Sequence, residues 1–179
     1  MHEEIAEFLR YWVEVRGSDE LPPRNRLDPL TITRRLLPKV NLMAFDEARD
    51  DFVYVLVGSL AHDVRGKEIS GTCVADLPNR INGSREAYAE HIRDLYRSAG
   101  RFRKPVHSRG TYRWRDLRPE ITTERLTCPI LGRDGRTVEY VGCQVFEGRS
   151  GSGRGRIDDA DDYVPEFVRV LDDPDATVA

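Results

Sequence analysis

The alternation of hydrophobic and polar positions predicts a helix at the start of the chain. Apolar side chains in residues 3–16 recur every three or four positions, which places them on one face of an amphipathic helix. A wide apolar face must be buried, so this helix either covers the sheet of its own chain or pairs with another copy. The residues that we take as candidates for a dimer interface are Ile5, Phe8, Leu9 and Trp12.

The stretch that organises the rest of the chain runs from Phe52 to Gly71. Its first six residues are all apolar, so both faces of the predicted strand are hydrophobic and both need a cover. Alternation puts Phe52, Tyr54 and Leu56 on one face. The domain's own helices would cover one face, and the N-terminal helix is our candidate for the other. Residues 39–46 form the strand that precedes it in a hairpin.

A longer helix and three further strands are predicted in the C-terminal half. Ser84 is a suitable N-cap for a helix over residues 85–99, and Gly100 is expected to end that helix. The apolar patterns that follow predict strands over residues 105–114, 121–131 and 137–146.

The last two strands form a hairpin whose register follows from its turn. The Asp-Gly pair at 134–135 is a hairpin turn signal. With these two residues as the loop, Cys128 faces Val141 and Leu126 faces Cys143. These side chains then share one face of the hairpin, which is plainly a core face.

Changes in composition divide the chain into three parts. Asp28-Pro29 is typical of a helix start and predicts a short helix over residues 29–36. The tail contains a flexible basic stretch and an acidic one. Its apolar residues 163–171 are able to dock on the domain, and whether they do is left open. The parts are an N-terminal helical cap at 1–35, a main domain at 36–147 and a flexible tail at 148–179.

Length and charge narrow the class of protein. The 179 residues suit one domain with extensions, and they are 39% hydrophobic and 33% charged with a formal net charge of −3. This balance gives no global positive field to attract nucleic acid. No apolar run approaches the roughly 20 residues that span a bilayer, and the acidic start is unlike a signal peptide. We therefore expect a cytoplasmic protein with no nucleic-acid or membrane partner.

The sequence offers no catalytic or metal-binding motif. Phosphate-binding and dinucleotide-binding glycine patterns are absent, as are CxxC, HExxH and GxSxG. Cys73, Cys128 and Cys143 do not have metal-ligand spacing, so no metal site is predicted. A helical histidine, His62 or His91, is a conceivable haem ligand, and Cys73 lies near the region of a flavin adduct. Neither has the surrounding motif, so we predict neither haem nor flavin and leave the cofactor unknown.

Several short motifs occur in an order that is typical of one family. They are Trp12, the LPPR of 21–24, Asp28-Pro29, Leu37-Pro38, the YVLVG of 54–58, Gly66, Gly71 and the ERLTCPILGRDGRTV of 124–138. Together with the order of the predicted elements, they resemble a PAS domain over residues 8–146. The chain is similar to a PAS family that is common in alphaproteobacteria and often occurs as a single-domain protein.

The resemblance implies both a fold and a way of working. The fold is α+β, with a five-stranded antiparallel sheet, helices over one face and an N-terminal helical cap. A pocket between helices and sheet would hold a small ligand. A partner, such as a histidine kinase, another regulator or a second copy in a homodimer, would receive the signal. The family pattern brings no agreed catalytic residue, so no enzymatic activity is predicted.

The residues expected to line this pocket come from the strands and from the helix over 85–99. They are Tyr54, Tyr88, His91, Ser108, Tyr112, Glu124, Cys128 and Cys143. Glu124 faces inward in the hairpin register, where it either joins the pocket or pairs with an arginine at the rim of the sheet. Glu124 and His91 could alternatively form the acid/base pair of a small isomerase or dehydratase. A further alternative is a dimerisation scaffold with a filled core and no ligand.

Overall fold

The two main helices and the five strands predicted from the sequence occur in the predicted order. The structure is a computed structural model, and it describes residues 1–28, 30–115, 120–148 and 156–178. The helices are α1 (Glu3–Arg16), α2 (Ser59–Arg65), α3 (Arg85–Phe102) and α4 (Pro174–Val178). The strands are β1 (Val40–Asp46), β2 (Asp51–Val57), β3 (Val106–Arg113), β4 (Ile121–Leu131), β5 (Val138–Glu147) and β6 (Asp162–Val170).

The strands form one antiparallel sheet in the order β2-β1-β5-β4-β3-β6. The predicted α+β class is confirmed, but the sheet has six strands rather than five. The sixth comes from the tail, where β6 pairs with β3 along its whole length. Pro165 is tolerated in β6 because this strand lies at the edge, and the register shifts next to Pro165 opposite Gly110.

The predicted register of the β4–β5 hairpin is confirmed. Leu126 lies opposite Cys143, and Cys128 lies opposite Val141. The turn is stabilised by the Asp134 carboxylate, which accepts backbone hydrogen bonds from Arg136 and Thr137 at 2.9 Å each. The pairing therefore follows from local turn chemistry, as the sequence indicated.

Helix α1 packs on β4 and β5 and forms a core on one face of the sheet. The four residues proposed from sequence as a dimer interface, Ile5, Phe8, Leu9 and Trp12, are at most 1% exposed within their own chain. The Trp12 indole N–H also donates to the Pro129 carbonyl at 3.1 Å. The interface prediction is corrected, because the apolar inner strands need a second cover and α1 supplies it.

The N-terminal helix does not cover β2, contrary to expectation. Strand β2 lies at the edge of the sheet, and Val55 and Leu56 are 44% and 54% exposed. The register with β1 shifts so that Leu42 faces Leu56 while Met43 faces Tyr54. The extra residue, Val55, is a β-bulge. It moves Leu56 to the face opposite Tyr54, so the simple alternation predicted for this strand is wrong beyond Tyr54.

Two helix predictions also differ from the structure. Residues 30–36 form turns rather than a helix, because the Asp28 carboxylate accepts the Leu30 amide at 2.8 Å in a local turn, and Pro29 lies outside the described residues. Helix α3 continues through Gly100, which lies so close to the Tyr140 hydroxyl that a Cβ would overlap with it. The helix ends at Arg103 in the left-handed conformation. No described helix is long and apolar enough to cross a membrane.

The burial of α1 predicts a large effect of Trp12→Ala on stability. Removing a fully buried indole should lower the free energy of unfolding by about 3–5 kcal/mol. The matched control is Leu30→Ala, where the native side chain is 93% exposed, and we expect a change within about 0.5 kcal/mol. Urea denaturation measures both. A Trp12→Ala protein that keeps its stability but changes its oligomeric state would restore the interface interpretation.

Candidate ligand site under helix α3

The face of the sheet opposite α1 is covered by α3 and holds a buried group of tyrosines. Tyr54 lies on β2, Tyr88 on α3 and Tyr112 on β3, and each is at most 4% exposed. Ser108 projects from β3 on the same face as Tyr112, since the two residues are an even number of positions apart. The helix that carries Tyr88 also carries His91, so the structure brings together five of the eight residues predicted for the pocket.

Ring contacts and a hydrogen bond join these residues into one cluster. The Tyr88 and Tyr112 hydroxyls are hydrogen-bonded at 2.9 Å. The ring of Tyr163, from β6, lies 4.8 Å from the ring of Tyr112 and 5.4 Å from the ring of Tyr88, between centroids. The His91 ring is 5.6 Å from the Tyr163 ring. We call Tyr54, Tyr88, His91, Tyr96, Tyr112 and Tyr163, together with Arg125, the tyrosine–arginine cluster.

Sequence reasoning missed Tyr163, which the C-terminal strand contributes. The ring packs directly over Gly110, where any Cβ would overlap with the Tyr163 hydroxyl. A glycine at this point of β3 therefore provides the space that Tyr163 occupies. The apolar pattern of residues 163–171 indicated a segment able to dock on the domain. Only the pairing of β6 with β3 shows where the Tyr163 ring lies.

Arg125 is the second residue that sequence reasoning did not assign to the site. It lies on β4 between Ser108 of β3 and Gln144 of β5, and it is 6% exposed. The titratable groups that act on it most strongly are the hydroxyls of Tyr96, Tyr54, Tyr88 and Tyr112, and in the described part of the chain it forms no ion pair with a carboxylate. The guanidinium stays protonated even when buried.

Two other arginines of the same half of the molecule, the buried Arg65 and the largely buried Arg93, are paired with acids. Arg65 bonds to Asp158 and also donates to the Asn79 side-chain oxygen at 3.1 Å. Arg93, on α3, donates to the buried Asp51 carboxylate at 3.0 Å. Arg125 therefore differs from these two arginines, because no carboxylate pairs with it in the described part of the chain.

Burial keeps the surrounding groups neutral. It raises the pKa of Tyr54, Tyr96, Tyr112 and Tyr163, and the nearby positive charge of Arg125 offsets only part of that effect. The pKa of His91 is lowered to about 4, first by burial and then by Arg125. The Nε2 atom of His91 is buried and has no hydrogen-bond partner among the described residues. The cluster thus presents one positive charge, neutral hydroxyls and a neutral imidazole.

A model of the family described as PAS domain matches residues 1–145. The chain belongs to the PAS domain family. No curated protein and no solved structure matches it significantly. PAS domains are in general sensory or regulatory modules, and most of the tyrosine–arginine cluster lies within the matched residues, whereas Tyr163 lies beyond them.

Three predicted pocket residues of this PAS domain lie on the opposite face, under α1. Cys128 and Cys143 are part of the α1 core, where burial raises the pKa of both thiols, that of Cys143 to about 12. Such thiols are poor nucleophiles. Glu124 is also on this face, since it alternates with Arg125 along β4. These three residues are therefore removed from the candidate site.

Glu124 is held in a network of its own rather than in a pocket. It accepts hydrogen bonds at 2.7 Å from His107 Nε2 and from the His2 backbone N–H. Arg169 Nε donates to the other ring nitrogen of His107 at 3.1 Å, which defines the neutral tautomer with a proton on Nε2. The rim arginine expected from sequence is Arg109, with 3.6 Å between its Nη1 and Glu124 Oε2. The alternative acid/base pair of Glu124 and His91 is not assembled, because the two side chains lie on opposite faces.

The residues considered for haem and flavin lie outside the cluster, apart from His91. The His62 ring is 2.9 Å from the Glu68 carboxylate. The Cys73 sulfur accepts a hydrogen bond from Arg49 Nη1 at 3.1 Å. The cluster has the features of a binding site, since it offers donors and a charge but brings no nucleophile together with a base.

Gly110→Ala should displace Tyr163 from the cluster. The added methyl would overlap with the Tyr163 ring and hydroxyl, and overpacking of this kind costs about 1–3 kcal/mol. Hydrogen exchange at the β6 amides should accelerate. In a double-mutant cycle, Gly110→Ala should cost much less in a Tyr163→Ala background, because the clash is already gone. Fully additive effects would show that β3 absorbs the methyl elsewhere.

The lowered pKa of His91 predicts how stability depends on pH. Its pKa is about 4 in the folded chain against an ordinary 6.5, so between these values the unfolded chain binds more protons. Stability should therefore fall as pH decreases from about 6.5 towards 4. His91→Phe should flatten this slope, measured as the unfolding free energy at pH 7, 6 and 5. His107, whose pKa burial also lowers, leaves a residual slope of the same sign. Equal slopes in both proteins would contradict the assignment.

Proposed function

We propose that this PAS domain is a sensory or regulatory module that binds a small ligand at the tyrosine–arginine cluster and has no catalytic activity of its own. The observation that carries the proposal is Arg125, a buried positive charge that pairs with no carboxylate in the described part of the chain. A small number of polar groups among aromatic side chains is typical of a small-molecule site.

The same proposal includes a signalling partner, such as a histidine kinase or another cytoplasmic regulator. Contact with a protein is supported by the β2 edge of the sheet, where Val55 and Leu56 of β2 and Phe45 of the adjacent β1 are all at least 40% exposed. Part of this edge is already covered, because the Tyr54 backbone is hydrogen-bonded to Gly71 and Thr72, so the exposed apolar side chains are what favour contact with another chain. Beside them lies an open groove of about 640 Å³, lined by apolar residues such as Leu42 and Leu56 and by the polar residues Arg24, Asn25 and Arg133.

A ligand-free dimerisation scaffold is a second candidate, favoured by that same edge. The sequence suggested α1 as the dimer interface. Because α1 is buried within its own chain, the exposed residues of β2 are the candidate interface instead. The two functions differ in one measurable respect, because a scaffold carries no small molecule.

Native mass spectrometry of the purified protein tests the two functions together. The sensory function predicts a mass in excess of the chain, lost on denaturation and recovered as a small molecule. The scaffold predicts a dimer with the mass of two bare chains. A bare monomer that shows no thermal shift across a broad metabolite panel, and captures no regulator in pull-downs, would argue against both.

A further inference from the structure

We propose that the ligand of the tyrosine–arginine cluster is a small monoanion, specifically a monocarboxylate, whose charge pairs with Arg125. This inference rests on the proposed ligand-binding function and adds the chemical class of the ligand. It follows from the charge, the donors and the aromatic side chains of the cluster.

The first step is the cost of an unpaired buried charge. A guanidinium that is 6% exposed has lost nearly all of its hydration, and a buried charge is stable only when it is paired or fully hydrogen-bonded. Arg65 and Arg93 obtain this pairing from Asp158 and Asp51. In the described ranges Arg125 has no such partner, so an anion from outside the chain would supply it.

The second step is the kind of anion that these donors fit. A guanidinium forms two parallel hydrogen bonds to a carboxylate, which is the geometry that distinguishes arginine from lysine. The hydrogen bond between Tyr88 and Tyr112 uses only one of the two hydroxyl protons. The second proton remains able to donate to an oxygen of the ligand.

The third step is the charge of the site, which favours one negative charge over two. Arg125 is the one cation of the cluster, because His91 is neutral above its pKa of about 4. Arg65 also acts on Tyr54 and Tyr112, but its charge is balanced by Asp158. A dianion would bring a second negative charge that has no cation to pair with, and burying an unpaired charge is costly.

The fourth step concerns the rest of the ligand. The cluster around Arg125 consists largely of aromatic rings, including Tyr88, Tyr112 and Tyr163, whose centroids lie about 5 Å apart. Aromatic neighbours of this kind favour a compact, flat or apolar group attached to the carboxylate. Tyr163 belongs to β6, so ligand binding would also act on the docking of the C-terminal strand.

The test uses pairs of probes that share a shape and differ in charge. Thermal unfolding of the full chain is followed with sodium benzoate against benzamide and with sodium acetate against acetamide, at constant ionic strength. The variants are Arg125→Met, which keeps the length of the side chain without its charge, and Arg136→Met, which removes an exposed arginine from the β4–β5 turn as the matched control.

We expect at least one carboxylate to raise the unfolding midpoint of the wild-type and Arg136→Met proteins above its amide counterpart. The rise should be about 3–6 °C at ten times the dissociation constant. Arg125→Met should lose this response. It should also be at least as stable as wild type in anion-free buffer, because an unpaired buried charge has been removed.

Three results would overturn the proposal. Carboxylates and amides could act equally on the wild-type protein, or Arg125→Met could respond as wild type does. Alternatively, Arg125→Met could be clearly less stable without anions, which would mean that the tyrosine hydroxyls already balance the charge. A neutral molecule found by native mass spectrometry, with no response to carboxylates, would refute this inference and leave the ligand-binding function standing.

Discussion

The rest of the structure depends on the burial of β4 on both of its faces. Every residue of this strand except Thr122 and Leu131 is buried, so the sheet is stable only with a cover on each side. Helix α1 supplies one cover and α3 the other. The constraint explains why the N-terminal helix is part of the core rather than an accessory segment, and why the α3 face holds the candidate site.

The same strand separates two opposite charges that are adjacent in sequence. Glu124 and Arg125 point to different faces, so they cannot pair with each other. Glu124 is satisfied by His107 and by the backbone of His2, which ties the start of α1 to the sheet. Arg125 faces the tyrosines, without a carboxylate among the described residues. Alternation in one strand therefore produces a structural network on one face and a candidate binding site on the other.

Strand β3 lies next to the contacts that hold both the N-terminal helix α1 and the C-terminal strand β6. His107 links Glu124 to Arg169 of β6, while on the opposite face Tyr163 of β6 packs over Gly110. A change at the tyrosine–arginine cluster is thus one strand away from the contacts that hold α1 and β6.

From the sequence alone the order of the two main helices and five strands and the β4–β5 register could be predicted, because the 3.6- and 2-residue periods and the Asp134-Gly135 turn are local signals, whereas the antiparallel sheet was implied by the resemblance to PAS domains. The sequence also predicted Tyr54, Tyr88, His91, Ser108 and Tyr112 as pocket residues, which stays a prediction. Only the tertiary structure decided which face each strand residue occupies relative to the helices, since the bulge at Val55 reverses the alternation. It also placed Tyr163 by pairing residues distant in sequence, and it left Arg125 apart from every described acid. These outcomes depend on long-range packing, about which local sequence patterns carry no information.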